Sequence, residues 1–399
     1  MRRHLVVFLA TVAVWIGLII WGSRPFADIT KPATIDFKSF EPDARLIFRR
    51  VPNHERDALK LSVLKVTPPP CVGIFGDHTA RFATASSFGL QPFNGFFNFS
   101  FGTLTLPEVR DILRYAANSA SLPKVVIVQI ESPRIHSGTL LVKHRTPLPW
   151  QVLSQAEHGW WDPSVISNAF NYAILYIRNR IDWAQVLSSL SLSRSGGDHI
   201  ILRPDQCRRP ELHFATSNPS FWQRALPETL RSRIVRDALT TAQAACSEGD
   251  LSGIGGDGSL VDLPKRDPAN LHSWPTTGLQ PEDAQRIAST LTDIHRAVSS
   301  AGSELVLLAA PVFSPEHDVP LNAVLTRALA MLDSKISVYD RRLGKEANSL
   351  DFFYDDDEHP NAKFYAAIGE ELARLNPTYR ACLASYPDRN GRPGLQVAN

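Results

Sequence analysis

The sequence holds four cysteines and two methionines, and no block of lysine or arginine. Each scarcity excludes something. Basic residues number 42 against 40 acidic ones, a formal net charge of +2, so the concentrated positive footprint of a nucleic-acid binder is missing. None of the cysteines are closely paired, which excludes the usual zinc-ligand spacings. His136, His144 and His158 are too scattered to hold a metal. The glycines around Gly253–Gly258 lack the Lys-Ser/Thr of a phosphate loop and do not lie between a strand and a helix, so nucleotide binding is not expected. The chemistry therefore calls for no metal and no organic cofactor.

One long apolar run is present. Leu5 to Gly22 is apolar apart from Thr11, follows the basic Met1-Arg2-Arg3-His4, and is just long enough to cross a bilayer. Trp15 and Trp21 suit the membrane interface, and no A-x-A cleavage pattern precedes Ser23-Arg24-Pro25. This favours, over the competing reading of a cleaved signal peptide, an uncleaved single-pass inner-membrane anchor with a cytoplasmic tip (residues 1–22) and everything after it extracytoplasmic. Outside the cytoplasm Cys71, Cys207, Cys246 and Cys382 suggest disulfides, for which three connectivities exist. Cys207 with Cys246 is the first pair to test, since both lie in the middle of the chain.

Residues 23–70 read as a stalk, with one strand at Leu59–Val66 and a stiff Pro68-Pro69-Pro70. The pattern that follows is α/β. Val72–Phe75 is a short apolar strand, Asn94–Phe99 a second, Pro107–Asn118 an amphipathic helix and Lys124–Ile130 the clearest strand. Strand, helix, strand in that order predicts a parallel sheet. After Glu131 the pattern breaks into an insertion of about residues 132–275. It is helical over Pro163–Leu192 and irregular over 195–220 and 247–278. Trp150, Trp160, Trp161 and Trp222 are expected to supply its core in preference to glycan contacts. The α/β pattern then resumes with a helix from Pro281 to Gly302, a strand Glu304–Ala309, a helix Leu321–Leu332, a strand Lys335–Tyr339 and a last helix Asn361–Leu375. The polar residues 386–399 read as a disordered tail.

Two stretches carry chemistry. The first strand runs into Gly76-Asp77-His78-Thr79, at the carboxyl end where α/β proteins place reactive groups. Far downstream, Tyr354-Asp355-Asp356-Asp357-Glu358-His359-Pro360-Asn361 sets Asp356 three residues before His359, just ahead of a helix. A carboxylate at that spacing fixes the tautomer of an imidazole and stabilises its protonated form, which is what a general base needs. An acidic run at a helix start also serves simply as a cap and dipole partner.

Together the two stretches resemble the SGNH/GDSL hydrolase superfamily, in particular bacterial membrane-anchored members associated with surface polysaccharides. The resemblance covers the ordered parts of residues 71–131 and 281–375. Gly76-Asp77-His78 stands where that family has Gly-Asp-Ser. Ser100-Phe101-Gly102 stands where it has an oxyanion-hole glycine, and Asp356-x-x-His359 where it has the acid and base of its triad. Asp257-Gly258-Ser259 in the insertion looks like a recurring Asp-Gly-Ser turn. The resemblance implies a three-layer α/β/α sandwich with a mostly parallel, flavodoxin-like sheet. It implies catalytic roles for His359, Asp356 and His78, with Asp77 and Gly102 lining the site. An acyl-ester or polysaccharide substrate and envelope-assembly partners follow from the same source. Two departures stand against it. The serine nucleophile is replaced by His78, with Thr79 next to it. The third motif, Gly-x-Asn-Asp, is not recognisable in Gln129-Ile130-Glu131-Ser132-Pro133. Two functions are therefore expected: an esterase or O-acetyl-transfer protein, or a catalytically silent relative that binds glycan or scaffolds an envelope assembly.

Overall fold

The computed structural model describes residues 68–102, 104–119, 122–130, 140–142, 146–157, 161–180, 280–311, 323–342, 350–353 and 359–388, with shorter stretches elsewhere. The chain divides into two compact units. One comprises Phe37–Leu46, Val51–Phe170 and Leu251–Asn399; the other comprises Met1–Asp36, Ile47–Arg50 and Asn171–Asp250.

The first unit is built on a five-stranded sheet in which every pairing is parallel. Its strands are β1 (Val72–Phe75), β2 (Phe96–Asn98), β3 (Val125–Ile130), β4 (Glu304–Ala309) and β5 (Ser337–Asp340), arranged in the order β2-β1-β3-β4-β5. The strands are short and nearly continuously apolar because both faces of the sheet are covered. Register fixes which residues share a face: Val72 lies beside Val125 and Ile74 beside Ile127. These join Val306 and Leu308 in a core with Phe364, Tyr365, Ile368 and Leu372 of helix α5 (Ala362–Leu375). The alternate residues Phe75, Val126, Val128, Leu305 and Leu307 are equally buried on the opposite face. There α1 (Leu106–Asn118) packs on α3 (Asp283–Ser300), which packs on β4 and on α4 (Ala323–Ala330). The helix between them in sequence, α2 (Pro163–Arg180), starts in the insertion. The α/β expectation and its parallel sheet are thus met, with every expected core strand and helix present to within a few residues.

Several local expectations are corrected. Lys60, Leu61 and Val63 are helical, not extended. Leu61, Val63 and Leu64 are all buried, and a strand would have turned Leu64 to the face opposite Leu61 and Val63. The segment expected as a stalk also contains a strand, whose Arg45 and Leu46 pair antiparallel with Gly255 and Ile254. In the second unit His199–Leu202 pairs antiparallel with Glu211–His213. Both pairings fall where composition suggested irregular chain, because strands of two to four residues are diluted by the Arg, Pro and Ser around them. A further helix, α6 (Pro377–Ser385), follows α5 directly. Residues 386–388 are not a free tail: Tyr386 O accepts from Gln91 N, and Asp388 N donates to Gly89 O. Two of the tryptophans expected in a core are not buried in one, since Trp161 is 89% exposed and Trp150 50%. Aliphatic Leu148, Val152, Leu153 and Val165 are buried there instead. Trp160 and Trp222 lie outside the described residues.

Among the described residues no helix is long and apolar enough to cross a membrane. The run Leu5–Gly22 lies almost wholly outside them. A disulfide joins Cys71, at the entry to β1, to Cys382 on α6, with Cα atoms 5.8 Å apart and 311 residues between them in sequence. Only one of the three connectivities contains that bond, the one that also pairs Cys207 with Cys246. Those two cysteines lie outside the described residues.

Two stability predictions follow from these packings. Converting Cys71 and Cys382 together to serine should lower unfolding free energy by about 2–5 kcal/mol, because so long a loop is released in the unfolded chain. Urea denaturation of the oxidised protein and the double variant tests this; coincident curves would refute it. The second concerns Asp111 on α1, whose carboxyl is fully buried beside Arg110. Burial pushes it up from 3.8 to about 6 in spite of that partner. The folded state therefore holds the proton more tightly than the unfolded chain, so the stability this group contributes is full below pH 4 and is lost as pH rises through about 6. Asp111→Asn should flatten that part of the stability–pH curve, and an unchanged slope would contradict it.

Candidate functional site

The strand order reverses between β1 and β3, and the carboxyl ends of those strands flank the crevice where open α/β sheets bind ligands. Gly76 follows β1 there. A Cβ at Gly76 would lie 2.8 Å from Ala80 Cβ and 3.2 Å from Gln129 Cβ, so only glycine lets the chain turn this closely against β3. The turn continues as a 3₁₀ helix, His78–Phe82, capped by Asp77, whose Oδ1 accepts from Thr79 N at 3.1 Å. The other carboxylate oxygen, Oδ2, faces His78 Nδ1 at 3.4 Å. Asp77 is buried, while the His78 side chain is 27% exposed.

His359 arrives from the opposite end of the chain. Asn361 positions it: its Oδ1 accepts from Lys363 N and Phe364 N at the start of α5, while its Nδ2 donates to Asp351 O and Phe353 O. One side chain thus caps the helix and closes the loop from Phe353 to Pro360, which also form a β-bridge. The closure brings the buried His359 ring to 5.2 Å from His78, centroid to centroid and edge-on. The Phe82 ring also meets His359 edge-on at 5.2 Å, and the Arg81 guanidinium lies over the Phe82 ring, 5.0 Å from its centroid.

The two imidazoles expected at the site are therefore brought together, with Asp77 beside one of them. Asp356 lies outside the described residues, as do Ser132, His136, His144, His158 and Ser259. Gly102 is half-buried in the loop after β2. Phe101 N donates to Gly76 O at 3.0 Å, so this loop runs beside the His78 turn. Thr79, next to His78, is not available for attack. It is 1% exposed, and its hydroxyl accepts from Gln129 Nε2 at 3.0 Å and lies 3.4 Å from Asp77 Oδ1. Ser86 and Ser87 are loop residues, both hydrogen-bonded to Thr84 Oγ1.

Four residues of the site's framework escape a motif-based reading. Gln129, near the end of β3, turns its side chain inward to Thr79. Tyr365 of α5, fully buried, reaches Thr79 O at 3.0 Å and Gln129 Oε1 at 3.1 Å. Asn98 Nδ2 donates to Ala80 O and Ala83 O, both at 2.8 Å, and Lys60 Nζ donates to Ser100 O at 2.9 Å. Gln129 and Asn98 do carry a sequence signal, since each is a single polar residue inside an otherwise apolar strand. Lys60 and Tyr365 carry none.

A scan against protein-family models, a search of curated proteins and a search of solved structures each return no match.

The fit at Gly76 is directly testable. Gly76→Ala should lower stability by about 1–3 kcal/mol, the usual range for inserting a methyl group into a filled site. Urea denaturation measures it, and a variant as stable as the native protein would show that the turn has room to spare.

Proposed function

We propose that the protein is an SGNH hydrolase-like protein that handles acyl esters, with extracytoplasmic polysaccharide as the substrate class. The observation that carries this reading is the meeting of His78 and His359 at 5.2 Å, with Asp77 at 3.4 Å from His78, on the carboxyl edge of a parallel sheet. The strand order 2-1-3-4-5 favours a flavodoxin-like, three-layer arrangement of the kind the resemblance implies. The Cys71–Cys382 bond favours an oxidising compartment and hence a chain held outside the cytoplasm by Leu5–Gly22.

Without a serine, the chemistry falls to the Asp77–His78 pair. Asp77 faces Nδ1, which orients the ring and stabilises its protonated form, so proton exchange runs through Nε2. His78 removes a proton from water as the water oxygen bonds to the ester carbonyl carbon. The carbon–oxygen bond to the alcohol then breaks, and His78 returns the proton to the leaving oxygen. Acid and alcohol are the products. In transfer, a sugar hydroxyl takes the place of water. His359 flanks this centre, and the resemblance assigns Asp356 as its partner carboxylate.

One observation favours a silent site that binds glycan or scaffolds an assembly: the hydroxyl nearest the nucleophile position, that of Thr79, is buried and engaged. A single experiment separates the two. The purified protein is assayed with a chromogenic acetyl ester beside His78→Ala, His359→Ala and His78→Ser. The esterase reading expects turnover that falls at least about a hundredfold in His78→Ala and roughly tenfold or more in His359→Ala. Turnover confined to His78→Ser would instead identify a site that has lost only its nucleophile. If none of the proteins reacts, the esterase reading is abandoned.

A further inference from the structure

We propose that Lys60, delivered by the segment ahead of the α/β core, is a positioning residue for the His78–His359 site. The inference rests on reading that edge of the sheet as functional, and it assigns part of the site to a stretch of chain outside all of the motifs.

The connection runs through hydrogen bonds at every step. Lys60 is only 3% exposed and sits on a helical turn that is anchored by Leu61, Val63 and Leu64, all buried. Its ammonium donates to the carbonyl of Ser100. Ser100, 1% exposed, donates through both its N–H (2.9 Å) and its hydroxyl (2.5 Å) to Asn98 Oδ1. Asn98, fully buried, spends its amide N–H groups on the carbonyls of Ala80 and Ala83. Those carbonyls belong to the turn that begins at His78. Lys60 thus fixes the loop leading to Gly102 from one side, and that loop fixes the His78 turn from the other.

The chemistry suits a positioning role better than a packing one. Placing an ammonium at a 3% exposed position is costly unless it is hydrogen-bonded, and an apolar side chain of equal length would fill the same volume at no such cost. What the lysine adds is a strong, directed, charge-assisted bond to one carbonyl. A buried carbonyl left without its donor shifts to find another, and the backbone on either side of Ser100 moves with it.

The test uses the full-length protein and needs no turnover. In the native protein, trace acetylation should modify Lys60 at least tenfold more slowly than the exposed Lys124, Lys335 and Lys363. Equal rates would overturn the proposal without any variant. In Lys60→Met, amide hydrogen exchange at residues 98–102 and 80–83 should rise at least tenfold while α1 and α3 keep their protection. The imidazole C–H resonances of His78 and His359 should move toward those of mobile histidines, and Lys60→Arg should restore them. Unmoved imidazole resonances, or loosening spread evenly over α1 and α3, would reduce Lys60 to an ordinary structural residue. Where ester turnover is present, kcat should fall about tenfold in Lys60→Met with KM unchanged. An inactive native protein that nevertheless shows the exchange and resonance changes would fault the esterase reading and leave the positioning of the turn intact.

Discussion

A backbone that leaves a parallel sheet and turns back beneath its own side chains must find hydrogen-bond partners away from water. Everything at the candidate site depends on how the turn after β1 meets that demand. Its carbonyls at Thr79, Ala80 and Ala83 accept from Tyr365 and Asn98, which come from α5 and β2. Its Thr79 N–H is capped by Asp77, and the threonine hydroxyl is held by Gln129 from β3. Three separate elements therefore meet on five residues. Glycine at position 76 is the geometric condition for that meeting, because any larger residue would push the turn off β3. His78 is part-exposed at the edge of this framework, while the neighbouring Thr79 hydroxyl is buried and engaged, so the ring is the group that meets solvent.

The sheet and its flanking helices were legible because their signals are periodic and local. Buried parallel strands read as short apolar runs, and α1, α3 and α5 carry apolar stripes at helical spacing. The Asp77-His78 turn and His359 were legible for a different reason: reactive residue types at a strand end and a helix start stand out against their surroundings. What stayed hidden depends on distance along the chain. Nothing near Lys60 says that it reaches Ser100, and nothing near Tyr365 says that it reaches Thr79, 286 residues away. The helical turn around Leu61 was misread because Leu59, Leu61 and Val63 alternate as a strand would, and tertiary burial of Leu64 decided otherwise. The exposed Trp161 shows the reverse error, an aromatic residue assigned to a core by its type alone.

The two imidazoles give the site an unusual balance of groups. The two rings meet edge-on at 5.2 Å between centroids, and one of them, His78, has a carboxylate of its own in Asp77. Such a pair offers proton-transfer capacity, while the neighbouring Thr79 hydroxyl is buried and engaged. The framework around it is not relaxed: Asn98, Gln129 and Tyr365 are all satisfied and buried. A turn maintained at this cost in ordered side chains is consistent with a position that is used.

The Cys71–Cys382 bond has a consequence for how the protein is made. Its first cysteine stands at the entry to the first core strand and its second on the last helix described, so the bond encloses the whole parallel sheet. Cys71 emerges from the ribosome long before its partner exists. For that interval the first strand is already in place to pair with β2 and β3 but has no covalent tie. The bond therefore works as a completion mark. A chain truncated anywhere before α6 lacks Cys382 and cannot close this bond.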